Sequence, residues 1–160
     1  MRTDDAPGAA VERALTRGLV GIAGALDRRP PTFADAVIAV DAHHGERVAR
    51  RLERFASAPA GAFVWTRDAD GLLHLGALAG PWHFDPEGLG FDLVHVRGCR
   101  WLRHPVADVE APPGVLATFA RGGRNWQRIH APRTGSVSRE LYTAGALSPP
   151  EPHAGAGTRP

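Results

Sequence analysis

The chain has 160 residues, 43% of them hydrophobic and 22% charged, with a formal net charge of +2. That balance describes one globular domain long enough to bury a core, and no apolar run approaches the ~20 residues of a membrane span. All 19 basic residues are arginine, which excludes a phosphate loop ending in Gly-Lys-Ser/Thr and any Schiff-base lysine.

With 19 glycines and 14 prolines, the composition reads as a translation of GC-rich codons. The opening stretch, Met1 to Gly8, carries Asp4 and Asp5 and no apolar core, unlike a secretory signal. The single cysteine, Cys99, allows no disulfide within the chain. Together these predict a cytoplasmic protein.

The first 17 residues are expected to form a tail or short helix, with residues 1–8 and roughly 147–160, the latter rich in proline and glycine, disordered. Gly18-Leu19-Val20-Gly21-Ile22-Ala23 reads as a first strand, with the end of a helix begun near Ala9 as the alternative. Thr32 then caps a helix bearing Phe33, Val37 and Val40. A second helix starts near Gly45, with Val48, Leu52 and Phe55 at helical spacing. Arg47, Arg50, Arg51 and Arg54 fill its other positions and read as a solvated face beside Glu46 and Glu53.

From Gly61 the period changes to that of strands. Ala62 to Arg67 and Leu72 to Leu78 are expected to form a hairpin across Asp68-Ala69-Asp70-Gly71. Gly80-Pro81 should break the second strand, leaving Trp82-His83-Phe84 as a short third one. The longest strand signal runs from Phe91 to Leu102. A helical turn with Val115, Leu116 and Phe119 follows Pro112-Pro113, and a last helix carries Val137 and Leu141. Strands that follow two helices predict an α+β domain with a curled sheet over residues 18–145.

Alternation in the long strand puts Leu93, His95, Arg97, Cys99 and Trp101 on one face. Trp82 and Phe84 share a face, as do Phe63 and Trp65. If these faces meet in a small barrel, they build an aromatic pocket edged by hydrogen-bonding groups, which suits a flat base. The competing reading is plain core, with His95 and Arg97 satisfied by nearby carbonyls.

Charge is uneven along the chain. Residues 1–92 hold ten arginines against thirteen acids, whereas residues 93–139 hold eight arginines against Asp108 and Glu110. Guanidinium groups in surplus suit phosphate partners, although a solvated surface has the same look. Within this segment the loop Arg121-Gly122-Gly123-Arg124-Asn125-Trp126 combines free amides, guanidiniums and an indole, a set able to hold phosphate and stack on a base.

Catalytic and metal constellations are weaker. Cys99 with His95 or His74 as base is the nucleophile candidate, but it sits mid-strand among apolar neighbours. His43-His44 with Asp41 and Glu46 is the metal candidate, but adjacent helical histidines point about 100° apart. No cofactor is expected.

The run Leu75-Gly76-Ala77-Leu78-Ala79-Gly80-Pro81-Trp82-His83-Phe84-Asp85, followed by His95-Val96-Arg97-Gly98-Cys99-Arg100-Trp101-Leu102, resembles a known domain. It is similar to the PUA/EVE-like N-terminal reader domain of predicted modification-dependent restriction proteins of the Mrr type. The likeness spans roughly residues 18–130. It implies a curled β-barrel with two helices inserted after the first strand, binding nucleic acid and holding a modified or flipped base.

On that resemblance Trp82 and Phe84 stand at the paired aromatics, and His95, Arg97 and Trp101 match the second motif. The sequence departs from the family at Ile22-Ala23-Gly24, where a tryptophan is usual, and no nuclease segment follows residue 130. The implied effector is therefore a separate protein.

The expected function is non-catalytic binding of DNA or RNA. Trp82, Phe84, Trp101 and Trp65 would form the aromatic set, and His95 and Arg97 would read polar edges. Arg121, Arg124, Asn125, Trp126 and Arg128 would hold the backbone. The rivals are a module that docks an effector enzyme and, more remotely, a small hydrolase using His95 or His74.

Overall fold

A computed structural model describes residues 8–122 and 126–147 of the chain. The terminal stretches expected to be disordered fall outside those residues, apart from Gly8 and Leu147, as do Gly123, Arg124 and Asn125 of the glycine-arginine loop. The chain is an α+β domain built on one curled antiparallel sheet of four strands in the order β1-β4-β3-β2. Its strands are β1 (Leu19–Ile22), β2 (Phe63–Arg67), β3 (Leu73–Phe84) and β4 (His95–Trp101).

Helix α1 (Ala9–Arg17) leads directly into β1. It stops because Gly18 takes a left-handed φ of 63°, and its N–H closes back on the carbonyls of Ala14 and Leu15. The stretch from Leu19 is thus strand, as expected, and the helix begun at Ala9 ends before it. Helix α2 (Phe33–His44) begins where the Thr32 hydroxyl accepts the Asp35 N–H, the cap its sequence announces. Gly45 then ends α2 with a bond to the Asp41 carbonyl and opens α3 (Glu46–Ser57).

Two expectations about strands are corrected. Gly80-Pro81 does not end the second strand, and Trp82–Phe84 is the continuation of β3 rather than a strand of its own. Pairing passes from Ala79↔Gly98 to His83↔Val96, so Gly80, Pro81 and Trp82 stand opposite Arg97 alone. This bulge absorbs what a regular ladder would not: a proline without an N–H and a glycine at φ 66°. Conversely, the strand expected from Phe91 starts only at His95, because Pro86–Phe91 forms a 3-10 turn capped by Asp85. Proline at its first position and the Asp85 carboxylate, which accepts the Glu87 N–H, favour the turn over extension.

The sheet has a separate core on each face. On one face Ile22, Phe84 and Val94 pack with Ala36 and Val40 of α2 and Ala49, Leu52 and Phe55 of α3. On the other, Leu73 and Leu75 pack with Val106, Ala111 and Val115, joined by Phe63, Trp65, Leu141 and Tyr142. The second core is closed by α4 (Pro113–Ala120) and α5 (Thr134–Leu147). A smaller cluster of Ala14, Leu19, Leu93 and Val96 lies under α1, where Arg13 pairs with Asp85 at 2.6 Å and Arg17 pairs with Glu87.

Candidate nucleic-acid interface

Paired residues of neighbouring strands share a face, so Phe84↔His95 and Ile22↔His95 place His95 under the α2–α3 layer. The His95 ring is fully buried. Trp82 stacks on it with centroids 6.0 Å apart and planes at 24°, and Phe84 meets it edge-on at 5.7 Å. Phe33 of α2 stands edge-on to Trp82 at 5.0 Å. Trp126 reaches the same core and meets Phe55 edge-on at 4.7 Å. Three of these rings, Phe33, Trp82 and Trp126, are only half-buried.

In place of an open pocket the structure has a closed stack of rings within the core, with His95 and Arg97 bonded to nearby carbonyls. Two surface hollows, of about 230 and 340 Å3, are lined by Leu26, Asp27, Arg28, Ala39 and His43 and by residues of α1 with Phe91. Neither borders Trp82 or His95. Closure leaves polar atoms unmet: Nε1 of Trp82 and Nδ1 of His95 are buried without a hydrogen-bond partner. Each such atom costs about 1–3 kcal/mol. The other nitrogen of His95, Nε2, bonds the Gly24 carbonyl at 2.9 Å. Burial pushes the His95 pKa down and outweighs that bond, which favours the protonated ring.

Arg97 has a structural task. Its Nη1 donates to the carbonyls of Phe55, Ala56 and Ala58 at 3.1, 3.4 and 2.6 Å, and its Nε to Gly80 at 3.0 Å. The Ser57 hydroxyl reaches the Arg54 carbonyl, and the Arg97 guanidinium satisfies those of Phe55 and Ala56 and ties the end of α3 to the bulge. Only 4% of Arg97 is exposed. It does not read a base edge in this arrangement; its donors go to backbone carbonyls.

Trp101 and Trp65 lie apart from the stack. Trp101 is six positions along β4 from His95, roughly 20 Å of strand. Its indole N–H is shared between the carbonyls of Ala14 and Leu19, at 3.2 and 3.0 Å, which pins α1 to the sheet. Trp65 belongs to the opposite core, where its N–H meets Ser138 Oγ at 3.0 Å. The structure thus joins Trp82, Phe84 and His95, and adds Phe33 and Phe55, which the helical pattern marks only as core positions.

The arginines divide in a similar way. Arg121 and Arg128 are exposed, whereas Arg124 and Asn125 lie outside the described residues. On α3, Arg47, Arg50 and Arg54 are exposed at spacings of three and four, hence on one helix face. Among the described residues only Arg50 of these has an ion partner, Glu46. The Trp126 ring meets Phe55 in the last turn of α3, on the buried face of that helix, whereas Arg47, Arg50 and Arg54 are exposed on the other face.

The catalytic and metal candidates are placed elsewhere. Burial pushes the Cys99 thiol up to about 12, so it stays protonated at neutral pH. His74 does have an acid partner, Asp68 Oδ2 at 2.8 Å, across the β2–β3 turn. The same carboxylate accepts the N–H groups of Asp70 and Leu72, and the His74 bond foremost holds its pKa below the usual value. This pair orders the hairpin. Ring nitrogens of His43 and His44 donate to the carbonyls of Ala39 and Ala25. Among the described residues no three His, Cys, Asp or Glu side chains gather as a metal site, and no helix is long and apolar enough to cross a membrane.

Fold and site together define an α+β domain with a half-barrel sheet, an aromatic stack at its bulge and exposed arginines on α3 and at positions 121 and 128. Compared with family models, curated proteins and solved structures, the chain matches none.

Proposed function

We infer that this chain is a non-catalytic nucleic-acid-binding domain of the PUA/EVE-like kind. The observation that supports the reading is a set of exposed arginines, Arg47 and Arg54 of α3 with Arg121 and Arg128, in a domain whose rings Phe33, Trp82 and Trp126 stay half-buried. Guanidiniums supply sequence-independent phosphate contacts, and aromatic rings supply stacking surface. The curled sheet, the two helices after β1 and the C-terminal helix agree with the architecture that the sequence resemblance implies.

In this reading Arg97 and Trp101 act as positioning residues that set the bulge and α1. Phosphate contacts fall to Arg47, Arg54, Arg121 and Arg128. A restriction or defence setting, with an effector on another chain, follows from the same resemblance. The direct test is fluorescence anisotropy of the full chain with labelled single-stranded and duplex DNA and RNA across a salt series. Binding that weakens steeply with salt supports the reading. Absence of binding at low salt to every probe transfers the assignment to a protein-docking module, whose signature is a stable complex on co-purification.

A further inference from the structure

The sheet has two edge strands, β1 and β2, and they are finished differently. β1 is four residues long, and its Leu19 carbonyl is taken by the Trp101 indole at 3.0 Å. β2 reads Phe-Val-Trp-Thr-Arg, mostly strong strand formers, with no glycine, proline or bulge in its register. Two flanking bonds fix its hydrogen-bonding phase: Leu78 N–H to the Ala62 carbonyl at 2.9 Å and Asp68 N–H to that of Leu72 at 3.0 Å. By alternation Val64 and Thr66 bond β3, and the N–H and C=O groups of Phe63, Trp65 and Arg67 point away from it. Among the described residues no other backbone group bonds to these three. Native sheets blunt such an edge with lysine, proline or a bulge; β2 has none of them and is a template for another strand.

The strand is complementary to itself. Antiparallel pairing centred on Trp65 sets Phe63 opposite Arg67 of the second copy and Val64 opposite its Thr66. Outward positions then meet outward positions, and each pair exchanges two N–H···O=C bonds. Charge agrees with this register. Each Arg67 faces an aromatic ring, and the two guanidiniums stand four positions apart along the strand, roughly 14 Å. On the opposite face of the strand, β-branched Val64 and Thr66 meet across the axis.

The surface beside the edge agrees as well. Among the described residues Leu72 and Val109 are two of the large apolar side chains left exposed. Both stand at the Arg67 end: the Leu72 carbonyl accepts the Asp68 N–H, and Asp108, next to Val109, lies 3.9 Å from Arg67. At the Phe63 end Pro59, Ala60 and Gly61 are exposed, with open space around Gly61. A twofold axis brings unlike ends together, so apolar side chains of one copy meet compact residues of the second.

We propose that β2 pairs with β2 of a second copy about a twofold axis at Trp65, joining two four-stranded sheets into one continuous sheet. The dimer is independent of the nucleic-acid reading.

The test uses the full chain, in sedimentation equilibrium across a concentration series and in backbone amide exchange followed by NMR. The expected mass is twice the 17.0 kDa of one chain. The amides of Phe63, Trp65 and Arg67 should be protected like those of Val64 and Thr66, and should lose that protection on dilution. Neither Val64 nor Thr66 belongs to a core cluster, so both accept substitution. Val64→Lys with Thr66→Lys sets lysine against lysine across the axis and should give a monomer with a cooperative urea transition. Val64→Lys with Thr66→Glu sets lysine against glutamate and should restore the dimer.

A mass of 17.0 kDa at every concentration overturns the proposal. So does a dimer whose Phe63, Trp65 and Arg67 amides exchange freely, or one that the folded lysine pair leaves intact. The exchange pattern of the parent decides even where a variant does not fold.

Discussion

Each face of the sheet buries a tryptophan, and the two are treated differently. Trp65, under α5, gives its N–H to Ser138 Oγ, and Ser138 in turn donates to the Thr134 carbonyl at 2.7 Å. Trp82, under α2, gives its N–H to nothing and stacks on a histidine with an unmet acceptor of its own. Neither face keeps fully to the rule that buried polar groups are paired: Thr134 Oγ1 and Arg67 Nε are unmet on the α4–α5 face, Trp82 Nε1 and His95 Nδ1 on the other. What differs is the indole, whose N–H is met in Trp65 and unmet in Trp82.

Substitutions on the two faces break or sharpen this contrast. The largest loss is expected for Leu75→Ala, fully buried in the α4–α5 core, at about 2–5 kcal/mol in the urea transition. Arg97→Met should follow, losing about 1.5–3 kcal/mol because the last carbonyls of α3 lose a charged donor. A smaller cost would show that water caps the helix as well.

The tryptophans give the sharpest contrast at smaller size. Trp65→Phe removes a made hydrogen bond and should cost about 1 kcal/mol, whereas Trp82→Phe removes an unmet N–H and should leave the midpoint close to that of the parent. Equal losses from the two would remove the contrast between the faces. The smallest effect is with pH. A folded-state pKa for His95 below its ordinary 6.5 means the unfolded chain takes up the proton first. Its contribution is complete above pH 6.5 and is lost as pH falls below it, a loss that His95→Gln should abolish. Asp68, held below 3.8, adds a second decline at more acid pH.

Local signals carried most of the architecture. Thr32 before Phe33, the glycines at 18 and 45 and the helical spacing of Leu52 and Phe55 each act within one turn of chain, and all are realised. Gly80-Pro81 misled because a breaker in a strand has two outcomes, an end or a bulge, and the choice is made by Arg97 on the neighbouring strand. Asp85-Pro86 likewise outweighed the apolar run from Phe91.

At the site, alternation correctly grouped Trp82, Phe84 and His95. It could not separate Trp65, whose strand shows that side chain to the other core, nor reveal that the carbonyls of α3 would occupy Arg97. The α3 arginines were legible as a solvated face, and Arg47, Arg50 and Arg54 are exposed; the Trp126–Phe55 contact is a tertiary one that no local pattern announces.

The central claim of the proposed reading is that the exposed arginines of α3 and Arg121 and Arg128 both contact phosphate. Its most direct test is the salt dependence of oligonucleotide affinity for the parent, Arg54→Gln, Arg128→Gln and the double variant. The predicted result is a plot of log affinity against log salt whose slope falls by about one for each arginine removed and by about two for both, with the urea midpoint unchanged. A slope indifferent to both substitutions, or a parent that binds no oligonucleotide at low salt, would contradict it.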